Sequence, residues 1–390
     1  MQTSIRAMYM RGGTSKGVFF VPEDLPVDPV IRERVLMRIV GSPDPYKQHI
    51  DGMGGATSST SKVVIVSKSQ RDDCDVDYLF GQVSIDQPMI DWSGNCGNLT
   101  AAVGPFAIHR GLVTPPSEGI ATIRVWQANI QKQIVVHVPV SQSQVVETGT
   151  FELDGVAHPS AEIAIEFMDP GADGDEGAGS GMFPTGNRID TLDIPGIGRI
   201  EATLIMAGNP AVFVRADALG LTGTELQSDI NQNTALLERL ETIRAHAAVR
   251  MGLGDTPQEV SKNRQHTPKI AFFAPSKDYT ASDGKAVASD RIQLLARIVS
   301  MGRLHHAMTG TGAVGIAVAA ALPDTIVSQI LGQPREDITF GHPSGVLRIG
   351  AVVQKNGAEM EVRAVKVSRS ARRLMDGQVF VPQALMSSQV

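Results

Sequence analysis

The sequence predicts an α+β fold made of two pseudo-symmetric domains, each a curved, mainly antiparallel sheet around a central helix, with the active site in the cleft between them. Three observations predict it. The 390 residues exceed the length over which one hydrophobic core keeps growing. A strand, glycine turn, strand and helix occur twice in the same order, and each half then carries a glycine-opened apolar helix followed by alternating strands. Too few residues lie between the strands for an all-parallel sheet with helical crossovers. The expected domains are 1–187 and 188–390, with the last strand able to return to the first domain.

The elements follow in order. Met10-Arg11-Gly12-Gly13-Thr14 leads into the apolar run Val18-Phe19-Phe20-Val21, and Met206-Ala207-Gly208-Asn209-Pro210 leads into Val212-Phe213-Val214. Asp28 and Pro29 supply an N-cap and first-turn pair for a helix closed by Gly41. Thr222-Gly223-Thr224-Glu225 reads as a capping box before Leu226, Ile230, Leu237, Leu240 and Ile243. Strands are expected at Val63 to Val66 and Val76 to Val83, then a helix from Gly97 to Gly111. In the second half, a strand at Ile270 to Phe273 precedes a helix from about Gly310 to Leu322. Gln293 to Met301 has the apolar spacing of a helix. Alternating strands close both halves, at Thr122 to Trp126 and Ile134 to Val140, and at Val346 to Val353 and Met360 to Val367. Asp169 to Arg188, rich in glycine and acid, is expected as a flexible loop near the domain boundary. It fails as a calcium loop because Gly171 and Ser180 occupy ligand positions.

Composition narrows the function. A net charge of -6 and a charged fraction of 19%, without a long basic run, argue against a nucleic-acid surface but admit an anionic small molecule. Met1 to Lys16 has no signal-peptide core, and the longest apolar-rich stretch, Ala313 to Leu322, is too short to span a bilayer, so a cytoplasmic protein is expected. Oligomeric state stays open, a homo-oligomer included. Cys74 and Cys96 are the chain's two cysteines, too few for a disulfide framework. The acidic neighbours of Cys74 disfavour its thiolate.

Unpaired amides and the positive dipole end make a helix start attractive to carboxylates, so two such starts suit a small polyanion. Cys96 sits at the first of them, within Gly94-Asn95-Cys96-Gly97-Asn98, where the helix start would stabilise a thiolate. Five hydroxyl residues, Thr57-Ser58-Ser59-Thr60-Ser61, precede Lys62, and Val63-Val64-Ile65-Val66 follows it. A lysine entering a buried strand next to a helix-start cysteine is a pairing suited to proton transfer.

These residues also carry a resemblance. The run from Met10 to Phe20, the Ser58 to Lys62 strand entry, Gly94 to Asn98, Gly341-His342-Pro343-Ser344-Gly345 and Ser368-Arg369-Ser370-Ala371-Arg372 resemble the PrpF family of 2-methylaconitate cis-trans isomerases, across nearly the whole chain. The resemblance implies a diaminopimelate epimerase-like fold and a role in propionate breakdown by the methylcitrate route. It also implies acid/base work at Lys62 and Cys96. Relatives of that family shift allylic protons on methylitaconate, 4-oxalomesaconate or aconitate. Diaminopimelate epimerases use two facing cysteines, whereas the position pairing with Cys96 here is Thr309, which argues against a two-cysteine racemase.

The chemistry implied is removal of a proton next to the double bond of an unsaturated tricarboxylate, giving a dienolate whose former double bond can rotate. It requires carboxylate-binding groups, a base and an acid, and no cofactor. A lysine near its ordinary pKa of ~10.4 is almost wholly charged at pH 7, so Lys62 as base needs tuning by burial, by Lys16 if close, and by the helix starts. The converse, Cys96 thiolate as base with Lys62 as ammonium, fits equally, and the order stays open. Ser15, Lys16, Ser61, Asn95, Gly97 and Asn98 in the first half, and His306, Thr309, Gly310, Thr311, His342, Ser344 and Arg369 beyond it, are the candidates for holding carboxylates. Arg372 competes with Arg369 for the inward position.

Other classes are weaker. Gly310-Thr311-Gly312-Ala313-Val314-Gly315 has dinucleotide-fingerprint spacing, but the reading from sequence places no strand before it. Gly12-Gly13-Thr14-Ser15-Lys16 lacks the ending of a phosphate loop. His305 and His306 are expected to point apart, and no spacing for a metal site exists. A non-catalytic carboxylate-binding protein is the remaining alternative, and turnover distinguishes it.

Overall fold

In the computed structural model, which describes residues 1–171, 181–356 and 359–387, the chain divides into two compact units. The first is Met1–Ile165 with Arg369–Val390, and the second is Glu166–Ser368. The expected division at 187/188 differs from this: the first boundary passes through the strand Ile163–Met168, ahead of the glycine-rich segment. Composition marks a loop, whereas strand pairing decides which residues share a core. Residues 172–180 of the segment expected as a loop lie outside the described residues. The final strand, Ala371–Pro382, pairs antiparallel along Gln2–Gly12 and so belongs to the first unit.

In the first unit, Gln2–Gly12 and Ser15–Phe20 form a hairpin, Ser15–Phe20 runs parallel to Lys62–Lys68, and Lys62–Lys68 pairs antiparallel with Val76–Val83. Val76–Val83 is parallel to Glu118–Gln127, which pairs antiparallel with Lys132–Ser141. One face of this sheet packs on the helix Pro29–Val40 through Val18, Phe20, Val63, Ile65, Ile31, Val35 and Ile39. The Asp28 carboxylate caps that helix by accepting from the N–H groups of Val30 and Ile31, and Gly41 ends it at φ 91°. The other face encloses the helix Thr100–His109, whose residues from Thr100 to Ala107 are all buried. Phe19 meets Phe106 at 5.4 Å, and a Cβ at Gly104 would strike Val138 at 2.7 Å. This helix begins later than the expected Gly97: the leading turn is tighter, with the N–H groups of Ala101 and Ala102 bonded three residues back to the Asn98 and Leu99 carbonyls, while the Cys96 carbonyl takes the N–H and the hydroxyl of Thr100.

The second unit repeats the order. Gly198–Ala207 and Asn209–Arg215 form a hairpin, Asn209–Arg215 is parallel to Lys269–Pro275, and Lys269–Pro275 is antiparallel to Leu294–Ser300. Leu294–Ser300 pairs parallel with Asp337–His342, which pairs antiparallel with Gly345–Asn356. Thr234–Arg250 covers one face through Leu240, Ile243 and Ala247, and the wholly buried helix Gly310–Ala321 lies on the other. Phe213, packed edge-on against Phe273 at 5.0 Å, would meet a Cβ on Gly315 at 3.1 Å.

Two local expectations change. Gln293 to Met301 is not helical: Leu294–Ser300 is a strand buried at every position, and an apolar run buried on both faces has no alternation to separate strand from helix. A strand therefore does precede the Gly310 helix, but the hairpin return Arg303–Leu304 intervenes, and the Thr309 hydroxyl already accepts from the Gly312 N–H. The Thr222–Glu225 box forms as a turn in which Glu225 accepts from the N–H groups of Thr222 and Gly223. The helices after it are split, Gln227–Asn231 and then Thr234–Arg250 capped by Asn233. Among the described residues no helix is long and apolar enough to cross a membrane.

Candidate active site

Lys62 opens its strand at 5% exposure, on the face that carries the buried helix Thr100–His109. The register places Gln82 directly opposite, and strand alternation lines Tyr78, Phe80 and Gln82 along the same face. Lys62 Nζ donates to Gln82 Oε1 at 2.6 Å and sits 4.8 Å from the Phe80 ring centre, while Gln82 Nε2 donates to the Ser61 carbonyl at 2.9 Å. Burial pushes the lysine pKa down from its ordinary value, opposed by the charge of Cys96 and by a hydrogen bond with its side chain. The two residues expected to move protons are thus close enough for each charge to act on the other. Cys96 is buried, and its Sγ accepts from the Leu99 N–H at 3.5 Å at the entry to the helix. Tyr78 donates its hydroxyl to the Cys96 carbonyl at 3.3 Å, and burial holds the phenol pKa well above its usual value.

The glycine turn makes room for this arrangement. A Cβ at Gly12 would lie 2.6 Å from the Asn98 carbonyl oxygen, and one at Gly17 would lie 2.9 Å from the Lys62 carbonyl oxygen and 3.0 Å from Leu99 Cδ1. Gly13, at φ 51°, lies against Asn98 and Arg369. Asn98 Nδ2 donates to Thr14 Oγ1 at 3.0 Å, and Asn98 Oδ1 accepts from Arg369 Nε at 3.1 Å. Arg369 is 2% exposed, and its pKa is lowered to about 10 by burial, with Cys96 opposing. It therefore remains cationic at neutral pH. Arg372 is exposed, so Arg369 is the inward residue of the two.

The structure does not gather every residue expected in the first half. Ser15 is buried on the Gly17 face, and Asn95 and Gly97 are buried on either side of Cys96. Lys16 falls on the opposite face of its strand, with Val18 and Phe20, where its Nζ sits 5.4 Å from the centre of the Tyr9 ring. Ser61 turns its hydroxyl toward His49 Nδ1 at 3.4 Å and gives Gln82 only its carbonyl. The hydroxyl run before it is largely a self-bonded turn, in which Thr57 Oγ1 contacts the hydroxyls of Ser59 and Thr60. Sequence reasoning missed Gln82 and Arg11. Gln82 carried a signal, as a polar residue in phase with Tyr78 and Phe80 on a strand expected to be buried. Arg11 ties the glycine turn to the returning chain by donating to the Gly13 and Ser370 carbonyls and the Ser160 hydroxyl.

In the second unit, Thr309 is the N-cap of the helix Gly310–Ala321, its hydroxyl accepting from the Gly312 N–H at 3.1 Å, and Gly310 and Thr311 form the first buried turn. His305 and His306 do not point apart: they follow the short strand Arg303–Leu304 in a bend, and their rings stack with centroids 4.6 Å apart. Burial lowers the His306 pKa, leaving a neutral ring at pH 7 rather than a cation. His342 Nδ1 accepts from the Ser344 N–H, and Ser344 Oγ donates to the His306 carbonyl at 2.5 Å. These three residues are wired to one another.

The PrpF protein family matches residues 2–382. The chain belongs to the PrpF family. A relative from Shewanella oneidensis, 2-methyl-aconitate isomerase, is 58% identical over 98% of each chain, and the 2-methyl-aconitate isomerase of Cupriavidus necator is 57% identical over 98% of each. Among solved structures, a methylitaconate-delta-isomerase is 36% identical, with a TM-score of 0.77, covering 100% of this chain and 98% of that one. The PrpF fold thus extends over the whole sequence, both copies of the duplicated element included.

Proposed function

We propose that this PrpF family member is a cofactor-independent cis-trans isomerase of 2-methylaconitate. The observation that carries the reading is the burial of Lys62 and Cys96 within electrostatic reach of one another, with Gln82 orienting the lysine and the Arg369 guanidinium also within reach of Cys96. Identity of 58% to a 2-methyl-aconitate isomerase, against 36% to a methylitaconate isomerase, supports this acid over its allylic relatives.

The substrate carries a CH2 group between a carboxylate and the double bond. Removal of one of its protons leaves a dienolate spread over that carboxylate, in which the former double bond has single-bond character and rotates. Return of the proton to the same carbon gives the geometric isomer; return at the far end of the allyl system would move the double bond instead. Whichever of Lys62 and Cys96 is basic receives the proton. Burial favours a neutral Lys62 amine for that role, while a Cys96 thiolate beside the Lys62 ammonium serves equally. Arg369, Asn98 and the turn Asn95–Gly97 hold carboxylate and enolate oxygens near the first helix start. The second unit carries a helix start of its own at Thr309, Gly310 and Thr311, and beside it Ser344 joins His306 and His342 by hydrogen bonds.

NMR of the purified protein with 2-methylaconitate, aconitate, methylitaconate and 4-oxalomesaconate tests the assignment. Turnover of 2-methylaconitate with the highest kcat/KM is expected. Preference for another acid of the four, or turnover of none, contradicts it.

A further inference from the structure

Lys62, Gln82 and Asp91 form a row across the strands Lys62–Lys68, Val76–Val83 and Ile90–Asp91 of the first unit. The register sets Lys62 opposite Gln82 on one side and Asp91 opposite Gln82 on the other. Directly paired residues share a face. Val63, Val83 and Ile90 pack with the outer helix, so the row stands on the side that carries the helix Thr100–His109, and all three of its residues are buried. Gln82 thus places a neutral amide between a buried lysine and a buried carboxylate. The carboxylate is engaged on its own side, accepting from the Ser93 N–H at 2.8 Å.

The amide is locked in one orientation. Gln82 Nε2 donates to the Ser61 carbonyl at 2.9 Å, which leaves Oε1 to face Lys62 Nζ at 2.6 Å. Reversing the amide would set two carbonyl oxygens against each other. Ser61 is itself held: its carbonyl also accepts from the Val83 N–H at 3.0 Å, and its hydroxyl lies 3.4 Å from Nδ1 of the buried His49. That same nitrogen takes the Ala56 N–H. The chain from His49 through Ser61 to Gln82 presents one fixed acceptor to the lysine.

The other groups around Lys62 pull its protonation both ways. Burial disfavours the ammonium, whereas the charge of Cys96 and the face of the Phe80 ring favour it. Burial keeps the Tyr78 phenol protonated, with its hydroxyl on the Cys96 carbonyl, and the Arg369 guanidinium lies within reach of the Cys96 charge. A carboxylate at the Gln82 position would lock the ammonium, and an apolar side chain there would withdraw the acceptor. A fixed neutral acceptor does neither, since it accepts from Nζ in both protonation states.

We propose that Gln82 is the positioning residue that keeps the Lys62 amine able both to take and to give a proton. The inference rests on the isomerase reading, in which Lys62 must regain its starting form after every turnover, and it holds for either order of Lys62 and Cys96 as base and acid.

Two substitutions of similar size test it from opposite sides. In full-length protein made with isotope-labelled lysine, NMR of the Lys62 Cε group, assigned with Lys62→Arg, follows the titration without substrate. Gln82→Met, which withdraws the acceptor, should move that titration down by about one pH unit or more. Gln82→Glu, which adds a charge, should move it up by about as much. Both should lower kcat for the isomerised acid about 10- to 100-fold, with KM changing less, and the Lys62 limb of the kcat pH profile should follow the NMR titration in each. A role in packing alone would lower stability without driving the titration in opposite directions. Shifts in the same direction, a titration that stays at the wild-type position, or kcat retained in either variant overturns the proposal. Should Gln82→Met fail to fold, the upward shift in Gln82→Glu decides. Opposite shifts in a protein that isomerises none of the four acids would leave the hold of Gln82 on the Lys62 proton standing and remove the isomerase reading.

Discussion

The two units share strand order, pairing directions and a buried apolar helix, yet they differ where that helix begins. The first enters its helix through Cys96, whose sulfur accepts from Leu99 N–H and whose charge acts on Lys62. The second enters through Thr309, whose hydroxyl is spent on the Gly312 N–H as an N-cap. Beside the lysine that opens the parallel strand, the first unit has Gly17 and the second has Ala211. The difference teaches that topology supplies a buried helix start and a buried lysine twice, and that side chains at a few positions set apart the copy to which we assign proton transfer.

Substitution of the proton-transfer pair should break the comparison most severely. Lys62→Ala and Cys96→Ser should each lower kcat by about 10² to 10⁴-fold, the usual contribution of a general acid or base. Steady-state kinetics should find this loss with tricarboxylate binding retained by Cys96→Ser. A loss of similar size in Thr309→Ala would erase the distinction between the two helix starts.

Gly17→Ala should have the next largest effect, because the new Cβ would come within 2.9 Å of the Lys62 backbone and 3.1 Å of its own Cβ. Overpacking there should destabilise by about 1–3 kcal/mol, and kcat should fall with the displaced lysine. The second unit tolerates alanine at the matching position, so urea unfolding of Ala211→Gly should instead show a small change. Thr309→Ala should cost about 1 kcal/mol for a lost N-cap and lower kcat far less than either substitution in the proton-transfer pair.

The smallest effect concerns pH. Burial lowers the pKa of His306 in the second unit and, first among several causes, that of His109 in the first. A folded pKa below the unfolded value means that the stabilising contribution is present above about pH 6.5 and is lost as pH falls through the folded pKa. Unfolding free energy should fall on acidification below that point, and His306→Gln should flatten the slope. A steeper slope in the variant contradicts the sign.

Much of this was legible because motifs report backbone needs directly. Asp28-Pro29 with Gly41 gave the outer helix, and the glycine turn with Gly94–Asn98 located Lys62, Cys96, Asn98 and Arg369, since close approach leaves a glycine signature. Lys16 was misplaced because motif adjacency says nothing about which face of a strand a side chain takes. Leu294–Ser300 was misread because a strand buried on both faces lacks alternation. Gln82 went unnoticed because its meaning lies in pairing register, which a local sequence pattern does not contain.

The central claim, that Lys62 and Cys96 move a proton of the substrate, is tested most directly by NMR of 2-methylaconitate isomerised in deuterium oxide. The wild-type protein should wash deuterium into the CH2 carbon during turnover, since a base in exchange with solvent returns deuterium in place of the abstracted proton, and Lys62→Ala and Cys96→Ser should each slow that incorporation in step with their loss of kcat. Incorporation at the wild-type rate in both variants would contradict the account.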